Sequence, residues 1–181
     1  MTFTGIITPS ACTPSLSADG IVDHGRVPAR SLNHYEFTKL PTRNLDLEVS
    51  CNEPVLFVLV GVDNRAASSV GPGFYYGLGN NIHAPSERPG LRLAGDSRSL
   101  RRQRARTGAG VKQPGRDLVS RVNAYPDNFM GFATPGTLVP EPHRRITATL
   151  QIDTSINAAA FLTLDQEVPL DGSIVLDLRY L

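Results

Sequence analysis

Cys12 and Cys51 are the two thiols of this 181-residue chain. On the residues alone they admit two readings. Paired, they would tie the first ordered strand to a later one. Closing a loop of about 39 residues would then add roughly 4 kcal/mol in the chain-entropy picture. Unpaired, they would be small buried side chains of a cytosolic protein. Other chemistry-bearing residues do not combine well. His24 and His34 have no second ligand at metal spacing, so no metal site is expected. Gly77-Leu78-Gly79 lacks the third glycine and the following helix of a dinucleotide site. No Ser-His-Asp order, Cys-His pair or phosphate loop stands out. Asp153, in Leu150-Gln151-Ile152-Asp153-Thr154-Ser155, is a carboxylate in an apolar loop. Acid–base hydrolysis of that type needs two carboxylates sharing a proton, and a homodimer would have to supply the second. The plainer reading is a strand ending in an Asx-type turn. No catalytic residue, metal or cofactor is expected, and the chain is read as not an enzyme.

The densest reactive groups are cationic. A net charge of +1 hides a split. Residues 83–121 carry nine Arg and one Lys against Glu87, Asp96 and Asp117, which gives +7. The rest carries eight basic and fourteen acidic residues, which gives −6. Arg98, Arg101, Arg102, Arg104 and Arg106 form a patch that could grip a polyanion through charge. No aromatic is interleaved to stack bases, so nucleic acid is not the expected partner. A second reading is a long surface loop of disorder-type composition, although loops of that length are uncommon inside compact domains. A third is a reading-frame artefact. Arg, Ala, Gly and Pro fill 21 of the 39 positions, and their codons can be built from G and C alone. A GC-rich gene read out of frame would produce such a stretch and lose strand periodicity. The third reading is adopted for residues 83–127.

Around this block, short apolar runs are separated by turn residues, which predicts an all-β sandwich or barrel. Phe3, Gly5 and Ile7 share one face of a strand over residues 2–8. That strand is either the first of the sheet or an arm that pairs with another subunit. Ile21, Val22 and Val27 predict a short strand. Leu45, Leu47, Val49 and Cys51 face inward from a strand over 43–51, with Asp46, Glu48 and Ser50 outward. Glu53-Pro54 predicts a turn. The unbroken run Val55–Val62 predicts a central strand buried on both faces. Further strands are predicted from Phe74 to Gly79, from Asn128 to Phe132, over 145–152, and over 160–164. A helical turn or two is expected around Ser99–Ala105. No apolar run is long enough to span a membrane as a helix.

The last eleven residues are the most regular. Asp171-Gly172 makes a turn. Ile174, Leu176, Leu178 and Tyr180 then fall on one face, and Asp177 and Arg179 on the other. Chain ends usually fray, so a strand this regular must be seated in a sheet, its own or a partner's.

Several stretches together resemble chaperone–usher fimbrial subunits. They are Gly5–Pro14, the Leu-rich strand ending in Cys51, Asp63-Asn64-Arg65, Tyr76-Gly77-Leu78-Gly79 and the C-terminal strand with Tyr180 next to last. The resemblance is to the β-fimbrial type of Gram-negative bacteria, long known as a domain of unknown function. It covers residues 3–80 and 128–181. It implies a single domain over residues 1–181, an incomplete immunoglobulin-like, pilin-type β-sandwich with an Arg-rich insert. It also implies a structural role, in which subunits assemble by donor-strand exchange. A periplasmic chaperone lends the missing strand, an outer-membrane usher hosts assembly, and the arm of a neighbouring subunit replaces the chaperone strand. On this reading residues 1–9 are the donor arm, with Phe3, Gly5 and Ile7 as its knobs. Cys12 and Cys51 form a disulfide made in the periplasm. Ile174, Leu176, Leu178 and Tyr180 line the groove, and the Leu181 carboxylate anchors the chaperone. The expected location is the periplasm in transit and then the cell surface, although residues 1–4 carry no basic and apolar leader pattern. The alternatives are a self-contained extracellular β-sandwich binding module, or polyanion binding through the arginines.

Overall fold

A computed structural model describes residues 11–90, 108–111 (backbone only), 124–133 and 139–181. The arm residues Phe3, Gly5 and Ile7 lie outside the described residues, as do Arg98, Arg101, Arg102, Arg104 and Arg106 and the helical turn expected near Ser99.

Nine strands form three antiparallel sheets, with no α-helix among the described residues. In chain order they are β1 Cys12–Leu16, β2 Thr38–Lys39, β3 Arg43–Val55, β4 Phe57–Asp63, β5 Gly108–Val111, β6 Phe129–Phe132, β7 His143–Ile152, β8 Ser155–Ile156 and β9 Ile174–Tyr180. One sheet has the order β1-β3-β7 and the other β5-β6-β4-β9, while β2 and β8 make a small third pair. The two larger sheets are the layers of an all-β sandwich. Its core joins Leu47, Val49 and Cys51 of β3 and Ile146 of β7 to Phe57 and Leu59 of β4 and Phe132 of β6. Leu176 and Leu178 of β9, with Cys12 and Leu16 of β1, pack against that core from its margin.

The alternation in β3 is as read: Leu45, Leu47, Val49 and Cys51 are buried, and Asp46 is exposed. The strand does not turn at Glu53-Pro54, however. It stays extended to Val55, with an irregularity in its pairing to β7 between Ser50 and Val55. The chain then crosses at Leu56 into the second sheet. A proline is tolerated there because the ladder is already interrupted. β4 is the central strand its composition predicts, between β6 and β9, and Phe57 to Val60 are at most 2% exposed.

Three predicted strands are absent. Residues 21–28 run without strand pairing, and Ala159–Phe161 is a turn of 3-10 helix. Phe74 to Gly79 is turn and coil, although Tyr76 and Leu78 are buried together in a second small cluster with Leu170. Apolar alternation reports burial on one side, and a coil that lies across a sheet can produce it too. Conversely, Gly108–Val111, inside the arginine block, pairs with β6. Main-chain bonding needs no side-chain period. Residues 83–90, at the start of that block, are bonded into the fold: Arg88 Nη1 donates to the Ser69 carbonyl at 3.0 Å, and Asn157 N–H donates to the Pro89 carbonyl at 2.7 Å.

His24 shows how the 17–42 region is pinned. Its Nε2 lies 2.9 Å from the hydroxyl of buried Thr154, and its Nδ1 is buried without a described partner. Burial holds its pKa below the ordinary 6.5, and the charge of Arg43 adds to this while Asp23 opposes it. The folded chain therefore resists the proton that the unfolded chain takes up. This contribution to stability is complete well above pH 6.5 and falls as the pH drops through that value. Urea midpoints measured on either side of pH 6.5 should show this slope, and His24→Gln should flatten it.

Candidate strand-docking edge

The disulfide is present. Cys12 and Cys51 are register partners in β1 and β3, bonded with a Cα–Cα distance of 4.0 Å. Close cross-strand placement of this kind is typical of a pair that makes no ladder hydrogen bonds to each other. The bond fixes β1 to the sheet, and β1 makes one margin of the sandwich.

β9 makes the facing margin. Among the described residues it pairs only with β4, in register from Phe57 opposite Tyr180 to Asp63 opposite Ile174. Two hydrogen bonds beyond the strand ends reveal the phase of the ladder. Leu181 N–H donates to the Leu56 carbonyl, and Asn64 N–H to the Ser173 carbonyl, both at 3.0 Å. Bonded and non-bonded pairs alternate in an antiparallel ladder. Val175, Asp177 and Arg179 therefore exchange bonds with β4. The N–H and C=O groups of Ile174, Leu176, Leu178 and Tyr180 point away from it, toward the open edge. The four residues singled out by period thus offer four unbonded main-chain pairs among the described residues. Their side chains grade along the edge: Leu176 and Leu178 pack on the core, and Ile174 and Tyr180 are 37% and 49% exposed. Leu181 is 63% exposed. On the other face of β9, Arg179 pairs with Asp177 at 2.8 Å and lies over the Phe129 ring.

The start of β9 is held by a knot of segments far apart in sequence. Asp63 Oδ2 accepts the Gly77 N–H at 2.8 Å, and Ser68 Oγ accepts that of Gly79 at 2.9 Å. Arg65 reaches Asp171 with Nη2 at 2.5 Å and Nε at 3.1 Å from Oδ2, while Asp171 N–H donates to the Leu78 carbonyl at 2.8 Å. Asp63-Asn64-Arg65, Tyr76-Gly77-Leu78-Gly79 and Asp171-Gly172, separate motifs in the sequence, are here one structure. A side chain at Gly77 would strike the Arg65 carbonyl and the Ser68 hydroxyl. Gly77→Ala is therefore expected to cost about 1–3 kcal/mol, read from urea unfolding. Beside the knot, the Tyr76 hydroxyl occupies the space left by the missing side chain of Gly61. Burial, with Asp63 and Asp127 nearby, pushes its pKa well up, so it stays neutral.

No group of His, Cys, Asp and Glu among the described residues is arranged to hold a metal ion. Asp153 accepts bonds from the Thr42 hydroxyl at 2.5 Å and from Gln151 Nε2 at 3.1 Å. The feature that sequence reasoning missed is the hydroxyl of Tyr180, which accepts the Cys12 N–H at 2.9 Å across the margin. No local sequence signal marks a contact between residues 168 positions apart.

Fold and edge define a disulfide-linked all-β sandwich with an edge strand unpartnered among the described residues. Residues 1–78 match a family described as "Protein of unknown function (DUF1120)". Two proteins of Escherichia coli strain K12 are similar to the chain. Protein GltF is 23% identical over 222 residues, covering 100% of this chain and 87% of that protein. The uncharacterized protein YhcF is 25% identical over 206 residues, covering 95% and 86%.

Proposed function

We propose that the chain is a structural subunit of a surface fimbria, assembled by donor-strand exchange through a periplasmic chaperone, an outer-membrane usher and neighbouring subunits. The observation that carries this reading is the open edge of β9. It combines main-chain groups at Ile174, Leu176, Leu178 and Tyr180 that are unbonded among the described residues with the apolar side chains of Leu176 and Leu178, which pack on the core margin. An extended segment added there would gain main-chain bonds from the edge and pack alternate side chains between the sheets. The disulfide supports passage through an oxidising compartment. No helix among the described residues is long and apolar enough to cross a membrane.

The test is strand uptake by the purified full chain. A synthetic peptide of residues 1–10 should bind, raise the urea midpoint and suppress self-association. A cooperative monomer whose stability is unchanged by the peptide would instead identify a self-contained β-sandwich binding module.

A further inference from the structure

The two strands that border the open margin are unequally equipped to receive a partner. On β9 the four outward residues each carry both an N–H and a C=O, and no proline interrupts them. On β1 the Asn52 N–H donates to the Ala11 carbonyl at 3.1 Å, which sets the ladder phase. Thr13 and Ser15 therefore bond to β3, while the main-chain groups of Cys12, Pro14 and Leu16 point outward. Pro14 has no N–H to give. The Cys12 N–H is already taken by the Tyr180 hydroxyl. Along Cys12–Pro14, β1 thus has no outward donor to offer, a common way to blunt a sheet edge against pairing. The disulfide holds the Cys12 donor in place, and the Leu181 N–H bond to Leu56 holds the end of β9. The Tyr180–Cys12 bond therefore spans two anchored points.

We infer that Tyr180 is a latch on strand entry. Its hydroxyl closes the Cys12 end of the margin and directs an incoming strand onto β9 rather than β1. The latch opens only when the last part of that strand seats. The opposite end, where Ile174 begins β9, carries no such bridge among the described residues, so pairing starts there. The occupant is the arm of a second copy. Residues 2–8 match the seven residues of β9 in length and place Phe3, Gly5 and Ile7 at the period-two spacing that a strand beside Leu176 and Leu178 requires. This inference rests on the strand-exchange reading and adds a rate-controlling residue to it.

The experiment follows fluorescence anisotropy of a dye-labelled peptide of residues 1–10 mixed with the full-length protein. Loss of the hydrogen bond that must open for the last part of the strand to seat should make Tyr180→Phe complete peptide uptake about two- to tenfold faster. Final occupancy should not fall, and Tyr180→Leu should behave alike. Tyr35→Phe, at a ring 78% exposed and outside every strand, should leave the rate unchanged. Equal or slower uptake by Tyr180→Phe overturns the latch and leaves strand exchange standing. No uptake by any of the proteins overturns both.

Discussion

Replacing Cys12 and Cys51 together with alanine is expected to lower the free energy of unfolding by about 2–5 kcal/mol. The bond closes a sequence separation of 39 residues, so its loss releases a long loop in the unfolded chain. Domains of this size are usually stable by only about 5–15 kcal/mol, so this is a large share. The loss should also be local. β1 has no described strand partner but β3, and Cys12 and Leu16 cover the core margin. Urea unfolding of the double variant, and of the native protein with and without reductant, measures the effect. Reduced and oxidised protein with the same midpoint would mean that the bond restrains nothing that unfolds.

The second large effect is expected at Leu178→Asp. Leu178 lies opposite fully buried Leu59 in the β4–β9 register and packs against the core cluster. A carboxylate there has no cation in its face of the ladder, because Arg179 points to the other side. The substitution should cost about 2–3 kcal/mol through an unsatisfied, partly buried polar group. It should also weaken uptake of the residue 1–10 peptide by at least about tenfold, since the incoming side chains lose their apolar seat. Val175→Asp is the control. Val175 bonds to β4 but is 49% exposed on the outer face, and surface changes of this kind fall within about 0.5 kcal/mol. If Leu178→Asp binds the peptide as tightly as the parent, the docking edge is not β9.

The parts of the fold visible in the sequence are those in which one strand's own pattern meets one kind of neighbour. Leu45, Leu47, Val49 and Cys51 alternate with polar residues because β3 has one face in the core, and the continuous run of β4 reflects burial on both faces. The period of β9 was legible for the same reason, and the ladder phase shows that its apolar residues also carry the outward main-chain groups. Where the expectation failed, the failure was one of partner. Tyr76 and Leu78 are as buried as strand residues, yet they sit in coil held by Asp63 and Ser68. Ala159–Phe161 coils because its main chain bonds to Asn33 and His34 instead of to a sheet.

By itself, then, the sequence determined the all-β class and the inward faces of β3, β4 and β9. These follow from local period and residue type, which need no knowledge of distant chain. Tertiary structure alone decided that the chain crosses between sheets at Leu56, that Asp63, Arg65, Gly77 and Asp171 form one knot, and that Tyr180 reaches Cys12. The knot and the Tyr180 contact are hydrogen bonds and an ion pair between remote residues, and the crossing is held by the Leu181 N–H bond to Leu56. Such bonds depend on where two backbones come to lie, and side-chain type carries almost no record of that.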